Sequence, residues 1–376
     1  MVKPPFLALP SADVHIRSPP AHMAQQGTDE TCGGTSRVEL CFNKGRVSTN
    51  MSINTPITKL LGIKYPILLA PMDLVAHGRL AAAVDAAGGF GILGGGYGDE
   101  KWLTRELDIL EQAKARFGVG FITWSMAKQP KVLDLALERK PVAVMLSFGS
   151  PVPFIDRIKR TGALLICQVQ SAALAEEAAA AGVDILVAQG TEAGGHGAAR
   201  GLITLVPEIV DLVGARIPVV AAGGIADGRG LAAALMLGAA GVLMGTRFYA
   251  SQEAAGARAA KERICEVTGD DTLRSIVFDI SRRHVWPAPF TGRCLRNAHA
   301  DRWFGHEIEL LRHLEEESPK YLAAREAGDF RIAAVIAGEA AGLIHDIPSA
   351  KDVIEGMIRE ASALLARGSS QVEARK

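Results

Sequence analysis

Eight short apolar runs recur along residues 66–244, and they constrain the fold of this chain more than any other feature. Their separation of roughly 20 to 30 residues is the length that a βαβ unit needs. The runs are continuously apolar rather than alternating, which predicts strands covered on both faces of a sheet. They are Pro66–Ala70, Phe90–Leu93, Phe117–Ile122, Val142–Ser147, Leu164–Val169, Ile185–Gln189, Val219–Ala222 and Gly241–Met244.

The alanine-rich stretches between these runs predict amphipathic helices. Two of them, Leu174–Gly182 and Arg229–Gly238, end in glycine where a C-cap is expected. Eight strand–helix units predict an α/β fold, a (β/α)8 TIM barrel of about 250 residues. An open, doubly wound sheet is the competing architecture. The count of eight and the glycine turns after the last two runs favour the barrel.

Residues 1–53 differ in composition from the rest of the chain and predict a disordered N-terminal extension. No apolar period emerges there, so this segment buries too little surface to offset the entropy of ordering. Two origins remain open, a transit peptide or an upstream start codon with Met51 as the natural beginning. The prolines that interrupt it are Pro4, Pro5, Pro10, Pro19 and Pro20.

The remaining chain is expected to divide at residue 250. Residues 54–250 would form the barrel, and residues 251–376 would form a helical region that packs on it as a candidate lid. A Pro- and Arg-bearing connector, Trp286–Arg293, interrupts this second part. The helices predicted there are Arg302–Glu317, Tyr321–Ala327, Arg331–Leu343 and Ala350–Leu365.

Composition excludes several classes of function. Lys and Arg total 41, as do Asp and Glu, so the zero net charge argues against nucleic-acid or acidic-membrane partners. The five cysteines are scattered without a CxxC pair, which argues against a disulfide framework or a zinc site and for a reducing compartment. The longest apolar stretch, Leu231–Gly245, is short for a bilayer span. We therefore expect a soluble, cytoplasmic protein.

A glycine-rich loop after the sixth run contains the leading catalytic candidate, His196. Barrel active sites lie at the carboxyl ends of the strands, so His196 is predicted to be a general base or a hydrogen-bond donor to substrate. The alternative is a structural or exposed histidine. Glu192 is four residues earlier and could orient His196, although a solvated loop charge is the favoured reading. His77, near the first turn, is a weaker candidate.

Two further glycine turns follow the last two runs, at Gly223-Gly224 and at Gly245-Thr246-Arg247. In barrels, the corresponding loops commonly hold a phosphate through backbone N–H groups at a helix N-terminus. The Thr246 hydroxyl could donate a hydrogen bond, and Arg247 could pair with charge. One glycine pair alone would indicate only a tight turn, but two such turns on consecutive strands predict a phosphate site.

Polar or soft groups stand at the ends of other runs. Met72 follows Ala70-Pro71, and this segment could lie against a flat ring or simply fill the barrel mouth. Thr123 and Gln168 follow buried runs and would need polar partners, which a heteroatom-rich ring, solvent or neighbouring loops could supply. Cys167 is interpreted as a core residue rather than a nucleophile.

Taken together, these motifs resemble the nitronate monooxygenases, formerly called 2-nitropropane dioxygenases. The resemblance covers about Thr55 to Leu365 and depends on the combination of motifs, because each one alone is unspecific. The matching segments are Ala70-Pro71-Met72, Gly118-Val119-Gly120-Phe121, Gln189-Gly190-x-Glu192-Ala193-Gly194-Gly195-His196, Ala221-Ala222-Gly223-Gly224-Ile225-Ala226-Asp227-Gly228-Arg229 and Met244-Gly245-Thr246-Arg247-Phe248.

Members of that family are barrels that bind FMN and need no metal, so the resemblance implies an FMN site here. It places the phosphate at Gly223-Gly224 and Gly245-Thr246, the ring near Met72, Thr123, Gln168 and Gly194, and makes His196 the catalytic histidine. The residues implied to contact FMN are Ala70, Pro71, Met72, Thr123, Gln168, Gly194, Gly195, Ala222, Gly223, Gly224, Gly245 and Thr246.

The implied reaction is the oxidation of alkyl nitronates or nitroalkanes by O2 to a carbonyl compound and nitrite. The partners would be a small-molecule substrate and O2, and a homodimer is one expectation for an assembly that the sequence leaves open. Two departures bear on the chemistry, because known members carry Gly-Val-Asn at Gly118-Val119-Gly120 and some have Lys at Gln168.

Three alternatives to this reaction remain at the level of the sequence. The first is an FMN- and NAD(P)H-dependent enoyl-thioester (enoyl-acyl-carrier-protein) reductase, which belongs to the same superfamily. The second is a lyase or isomerase that acts on a phosphate ligand without a cofactor. The third is a flavin-binding partner protein without catalytic activity.

Overall fold

Eight parallel strands form the central sheet of the protein, whose structure is a computed structural model that describes residues 52–370. Neighbouring strands pair in the order β1-β9-β8-β6-β5-β4-β3-β2, and a parallel bridge between Leu68 and Phe90 joins the two ends. The predicted (β/α)8 barrel is thereby confirmed over the open sheet. Its strands are β1 (Ile67–Leu69), β2 (Gly91–Gly94), β3 (Phe117–Ile122), β4 (Ala143–Ser147), β5 (Leu164–Val169), β6 (Ile185–Gln189), β8 (Val219–Ala222) and β9 (Gly241–Met244).

A second, antiparallel sheet lies outside the barrel strands. It pairs β10 (Thr272–Ser275) with β11 (Thr291–Leu295), and β11 with β7 (Gly195–Gly197). The middle residue of β7 is His196, which faces Gly292 across this pairing. The loop after β6 is therefore hydrogen-bonded to a strand nearly one hundred residues later in the chain. Local sequence patterns do not predict a pairing over this separation.

The helices surround the barrel, and the last of them completes the ring. Helix α16 packs against both α9 and α2, although it follows β9 by more than one hundred residues. None of the helices within residues 52–370 is long and apolar enough to span a membrane. They are α1 (Pro56–Leu61), α2 (Gly78–Ala86), α3 (Glu100–Gln112), α4 (Thr123–Met126), α5 (Lys131–Glu138), α6 (Ile155–Lys159), α7 (Ala172–Ala180), α8 (Leu202–Val213), α9 (Gly228–Met236), α10 (Thr246–Tyr249), α11 (Arg258–Glu266), α12 (Val277–Ser281), α13 (Ala298–Trp303), α14 (Glu307–Arg312), α15 (Leu314–Ala327) and α16 (Ala350–Ser370).

Apolar side chains fill both sides of the barrel wall. One cluster, which includes Leu68, Ile92 and Val187, occupies the interior. Ile57 and Leu61 of α1 belong to the same cluster, so this helix contributes directly to the barrel's interior packing. A larger cluster lies between the strands and the surrounding helices. Burial on both faces explains why the strand sequences are apolar without alternation.

The C-terminal part is less regular than its alanine content predicts. The predicted helix Arg331–Leu343 is wrong, since only a 3-10 turn forms there, at Glu339–Leu343. Ala333, Val335 and Ala337 are buried, as expected for an extended segment rather than a helix face, and the Val335 carbonyl accepts a hydrogen bond from Leu295 N–H. Tertiary contacts override helix propensity at this place.

Two other helix predictions differ from the structure in their bounds. The expected helix Arg302–Glu317 is divided among α13, α14 and α15, with Gly305 in the left-handed region between the first two. The predicted Tyr321–Ala327 lies within α15, and Ala350–Leu365 lies within α16. Residues 1–51, which hold nearly all of the predicted disordered extension, are outside the described residues. The divisions at residues 53 and 250 stay predictions.

Candidate active site

A cavity opens at the carboxyl ends of the barrel strands, where the sequence motifs converge. Twelve of the thirteen predicted site residues line it, which brings the three glycine turns and the end of β1 together. The structure therefore assembles one site from segments that are far apart in the chain. The twelve are Ala70, Pro71, Met72, Gln168, Gly194, Gly195, His196, Ala222, Gly223, Gly224, Gly245 and Thr246.

Thr123 is the predicted cofactor contact that the structure does not bring to the cavity wall. Strand β3 ends one residue earlier, at Ile122, and Ile122 lines the cavity instead. Thr123 is the first residue of α4 and is buried beside Gly149, where its hydroxyl has no hydrogen-bond partner among the described residues. Its predicted contact with a ring stays a prediction.

The turn after β8 presents free backbone donors to the cavity. Gly223 and Gly224 have φ values of 112° and 69°, a region that side chains other than glycine rarely adopt. Neither N–H group donates to an acceptor within residues 52–370. The expected use of a helix N-terminus is wrong at α9, because Asp227 and Glu360 carboxylates already accept its first N–H groups. An anion in this cavity would be held by the turn itself.

The turn after β9 contributes differently from what its sequence predicts. The Thr246 hydroxyl accepts a hydrogen bond from Gly338 N–H at 2.9 Å, so its own hydrogen stays available for a ligand. Arg247 is buried away from the cavity, and its guanidinium donates to the Asp346 side chain and to the carbonyls of Ala250 and Asp346. Its predicted pairing with ligand charge is therefore replaced by a structural role.

A chain of amides connects the strand ends to the histidine loop. The side-chain amides of Gln168 and Gln170 both donate to Gln189 Oε1, at 3.1 and 2.8 Å. Gln189 Nε2 in turn donates to the His196 carbonyl at 3.0 Å. The polar partner that Gln168 needs is thus another side chain, and the network fixes the backbone at His196.

His196 itself is held on two sides. Its Nε2 lies 2.9 Å from Asp279 Oδ2, and its ring stacks on the indole of Trp286 with centroids 3.4 Å apart. Burial lowers the pKa of His196 below its usual value, against the raising effect of the Asp279 carboxylate. The imidazole is therefore neutral at pH 7 and able to accept a proton.

The two weaker candidates have other contacts, although Glu192 also lines the cavity. The Glu192 carboxylate accepts a hydrogen bond from Leu202 N–H at the start of α8, so it neither orients His196 nor stands free in solvent. His77 precedes α2 outside the cavity, with Nδ1 3.8 Å from the buried carboxylate of Glu106.

Several residues of the cavity wall escaped the sequence analysis. Trp286 donates from Nε1 to the Tyr97 hydroxyl at 3.1 Å, and Phe148 lies edge-on to Trp286, so aromatic rings wall one side. Asp73 also lines the cavity, and burial raises the pKa of its carboxyl. Its position directly after Pro71-Met72 could have identified it. Asp279, 83 residues from His196, had no local signal.

The nitronate monooxygenase family model matches residues 54–123 and 121–360 of this chain.

The chain belongs to the nitronate monooxygenase family.

It is accordingly an oxidoreductase. A nitronate monooxygenase of Neurospora crassa is 34% identical over 343 residues, which cover 79% of this chain and 89% of the relative. A 5-hydroxy-7a-methyl-1-oxo-octahydro-1H-indene-4-carboxyl-CoA dehydrogenase of Mycobacterium tuberculosis is 32% identical, over 86% of this chain and 100% of the relative. Among solved structures, FabK from Thermotoga maritima superimposes with a TM-score of 0.77 at 33% identity, over 85% of this chain and 100% of that chain.

One departure from the family's sequence pattern has a steric cause here. A Cβ atom at Gly120, where the resemblance leads us to expect Asn, would lie 2.3 Å from Pro71 Cβ. The two residues are in direct contact across the strand ends, so any side chain at residue 120 requires a different position of the Pro71 segment. This member of the family therefore shapes the cavity floor with Pro71 rather than with an amide side chain.

Proposed function

We propose that this member of the family oxidises alkyl nitronates, or nitroalkanes, with FMN and O2 to a carbonyl compound and nitrite. The observation that carries the proposal is the position of His196, a neutral and oriented imidazole in the same cavity as the unpaired N–H groups of Gly223 and Gly224. A base and an anion-binding turn in one cavity suit a flavin mononucleotide with a substrate beside it.

The residues present fit an FMN phosphate. The N–H groups of Gly223 and Gly224 and the hydroxyl hydrogen of Thr246 are donors without an acceptor among the described residues. The absence of side chains at the two glycines lets a phosphate approach the backbone closely. The ring would extend toward Met72, Gln168 and Gly194, as the resemblance implies.

When bound, FMN supplies the acceptor for the substrate's electrons and the route by which O2 takes them up. The protein's own part is binding and proton transfer. His196 removes the α-proton of a neutral nitroalkane, whereas a preformed nitronate needs no base. The walls formed by Trp286 and Phe148 exclude water from the imidazole and hold the substrate's carbon chain.

The experiment begins with the absorbance spectrum of the purified full-length protein and of protein reconstituted with FMN. Ethyl nitronate is then added under air while oxygen consumption and nitrite are followed. His196→Asn should retain FMN and lose turnover of nitroethane by about 100- to 10,000-fold, the usual contribution of a general base. His77→Asn, outside the cavity, is the matched control and should keep full turnover. Undiminished activity in His196→Asn would refute the assigned role.

An enoyl-thioester reductase is the second candidate function. The identity to a dehydrogenase named for a carboxyl-CoA substrate, over the full length of that relative, favours it. Such an enzyme should be reduced rapidly by NAD(P)H without any nitronate. Anaerobic mixing with NADPH and with ethyl nitronate in separate experiments therefore distinguishes the two, because only the preferred substrate should bleach the flavin absorbance quickly.

A further inference from the structure

Asp279 is a buried carboxylate that the proposed reaction has not used. Its side chain is 5% exposed, and its Oδ2 lies 2.9 Å from His196 Nε2. Its other oxygen, Oδ1, accepts a hydrogen bond from Arg282 Nη2 at 2.7 Å. Asp279 is on α12, outside the cavity lining, and it is bonded to two residues that do line the cavity, His196 and Arg282.

The pairing decides which nitrogen of His196 carries hydrogen. An ionised carboxylate only accepts hydrogen bonds, so the Nε2 beside it must be the protonated nitrogen of the neutral ring. The lone pair is then on Nδ1, which makes no hydrogen bond within residues 52–370. Stacking on Trp286 holds the ring plane, so the imidazole is constrained in both rotation and tautomer.

We propose that Asp279 is a positioning residue that fixes the His196 proton on Nε2, so that Nδ1 is the atom that removes the α-proton of a neutral nitroalkane. This inference rests on the proposed function. In the step, the substrate's C–H bond breaks and an Nδ1–H bond forms, while the electron pair stays on the substrate as the nitronate. The resulting imidazolium donates its Nε2–H to Asp279, whose negative charge stabilises it.

The charged and titratable groups around His196 determine how its basicity changes when Asp279 is altered. Asp279 raises the pKa of the imidazole against the larger effect of burial, and Arg282 and Arg274 lower it. His284 is also near enough to interact with His196, and its own pKa is lowered by burial. Removing the carboxylate leaves burial and the two arginines in place, so the pKa of His196 falls further.

The test compares a neutral substrate, which needs a base, with a preformed nitronate, which does not. In Asp279→Asn the amide can donate to Nε2 and move the ring proton to Nδ1, the wrong tautomer for a base at that atom. We expect kcat/KM for nitroethane to fall about 100-fold or more, whereas kcat/KM for ethyl nitronate should stay within about 3-fold of the parent value. In a pH profile, the residual nitroethane activity should increase with pH as in the parent protein, but with its midpoint at a lower pH.

Two further variants separate positioning from structure. Asp279→Glu retains a carboxylate and should recover part of the nitroethane activity. Glu106→Gln removes a buried carboxylate beside another histidine, His77, which lies outside the cavity. This variant should leave kcat/KM unchanged for both substrates. An equal loss of kcat/KM for both substrates in Asp279→Asn, or a nitroethane pH profile unchanged from the parent protein, would overturn the inference.

A readout without turnover keeps the inference testable whatever the substrate is. Imidazole nitrogen spectra of the 15N-histidine-labelled, FMN-loaded protein, with His196→Gln to assign the signals, should show His196 as the Nε2–H tautomer. An Nδ1–H tautomer in the parent protein would refute the role of Asp279, even if Asp279→Asn failed to fold. If the parent protein oxidised neither substrate, the proposed function would fail, and the spectrum would still decide the tautomer.

Discussion

Gly245→Ala is the sharpest test of where FMN is proposed to bind, because the protein itself has room for the added methyl group. Gly245 has a φ of −106°, which any residue can adopt. A Cβ there would meet Met72 Sδ at 3.4 Å and Ala70 Cβ at 3.6 Å, both ordinary contacts. The variant should therefore be as stable as the parent protein, or up to about 1 kcal/mol more stable through the reduced entropy of the unfolded chain.

The same methyl group would stand in the cavity beside Met72 and Ala70, next to the turn at Gly245-Thr246 that is proposed to hold the FMN phosphate. Displacing the phosphate from the turn would remove a hydrogen bond to a charged group, which contributes about 1.5–3 kcal/mol. The dissociation constant for FMN should therefore rise about 10- to 150-fold. A loss of affinity combined with unchanged stability is a result that global misfolding does not produce.

The assay is a titration of FMN into the apoprotein, followed by quenching of flavin fluorescence, with urea unfolding measured in parallel. Gly356→Ala in α16 is the matched control, because a Cβ there meets only Arg359 Nη2 at 3.9 Å, and FMN affinity should not change. An unchanged affinity in a stable Gly245→Ala protein would refute the placement of the phosphate. A marked loss of stability would refute the steric reasoning instead.

Two further predictions concern the fold around the site. Leu68→Ala removes a fully buried side chain beside the bridge that closes the barrel, and should lower the free energy of unfolding in urea by about 2–5 kcal/mol; a loss below about 1 kcal/mol would contradict the packing described. Burial raises the pKa of the Asp73 carboxyl, so the folded state binds this proton more tightly than the unfolded state. The free energy of unfolding of the parent protein should therefore decrease as pH rises from the ordinary carboxyl pKa through the raised pKa of Asp73. Asp73→Asn should therefore unfold at higher urea than the parent at pH 7 but not below the ordinary carboxyl pKa, and equal midpoints at pH 7 would contradict this.

The barrel was predictable because its signals are local. Each strand is a continuous apolar run, and the two glycines predicted to end helices, Gly182 and Gly238, take the left-handed conformation expected of them. Because the carboxyl ends of all barrel strands meet at one face, the glycine turns that follow the strands also lie together. Sequence reasoning was therefore sufficient for the architecture and for bringing twelve of the thirteen predicted site residues to one cavity.

The contacts that orient the site were not predictable in this way. Asp279 and Trp286 reach His196 through the second sheet, whose strands are short and whose partners are far apart in the chain. Arg247 has the residue type of an anion ligand, but its guanidinium donates to the Asp346 side chain and to the carbonyls of Ala250 and Asp346. Asp346 is far from Arg247 in the chain, so the sequence did not indicate this pairing. Only three-dimensional pairing distinguishes a ligand-binding arginine from a structural one.

The position of α16 has a consequence for how this chain can vary. Because α16 packs against both α9 and α2, the segment of residues 245–349 is attached to the barrel at both of its ends. This segment contains Asp279 and Trp286, so sequence changes within it would alter the surroundings of His196 without altering the barrel strands. Deleting α16, by contrast, would expose the faces of α9 and α2 that it covers.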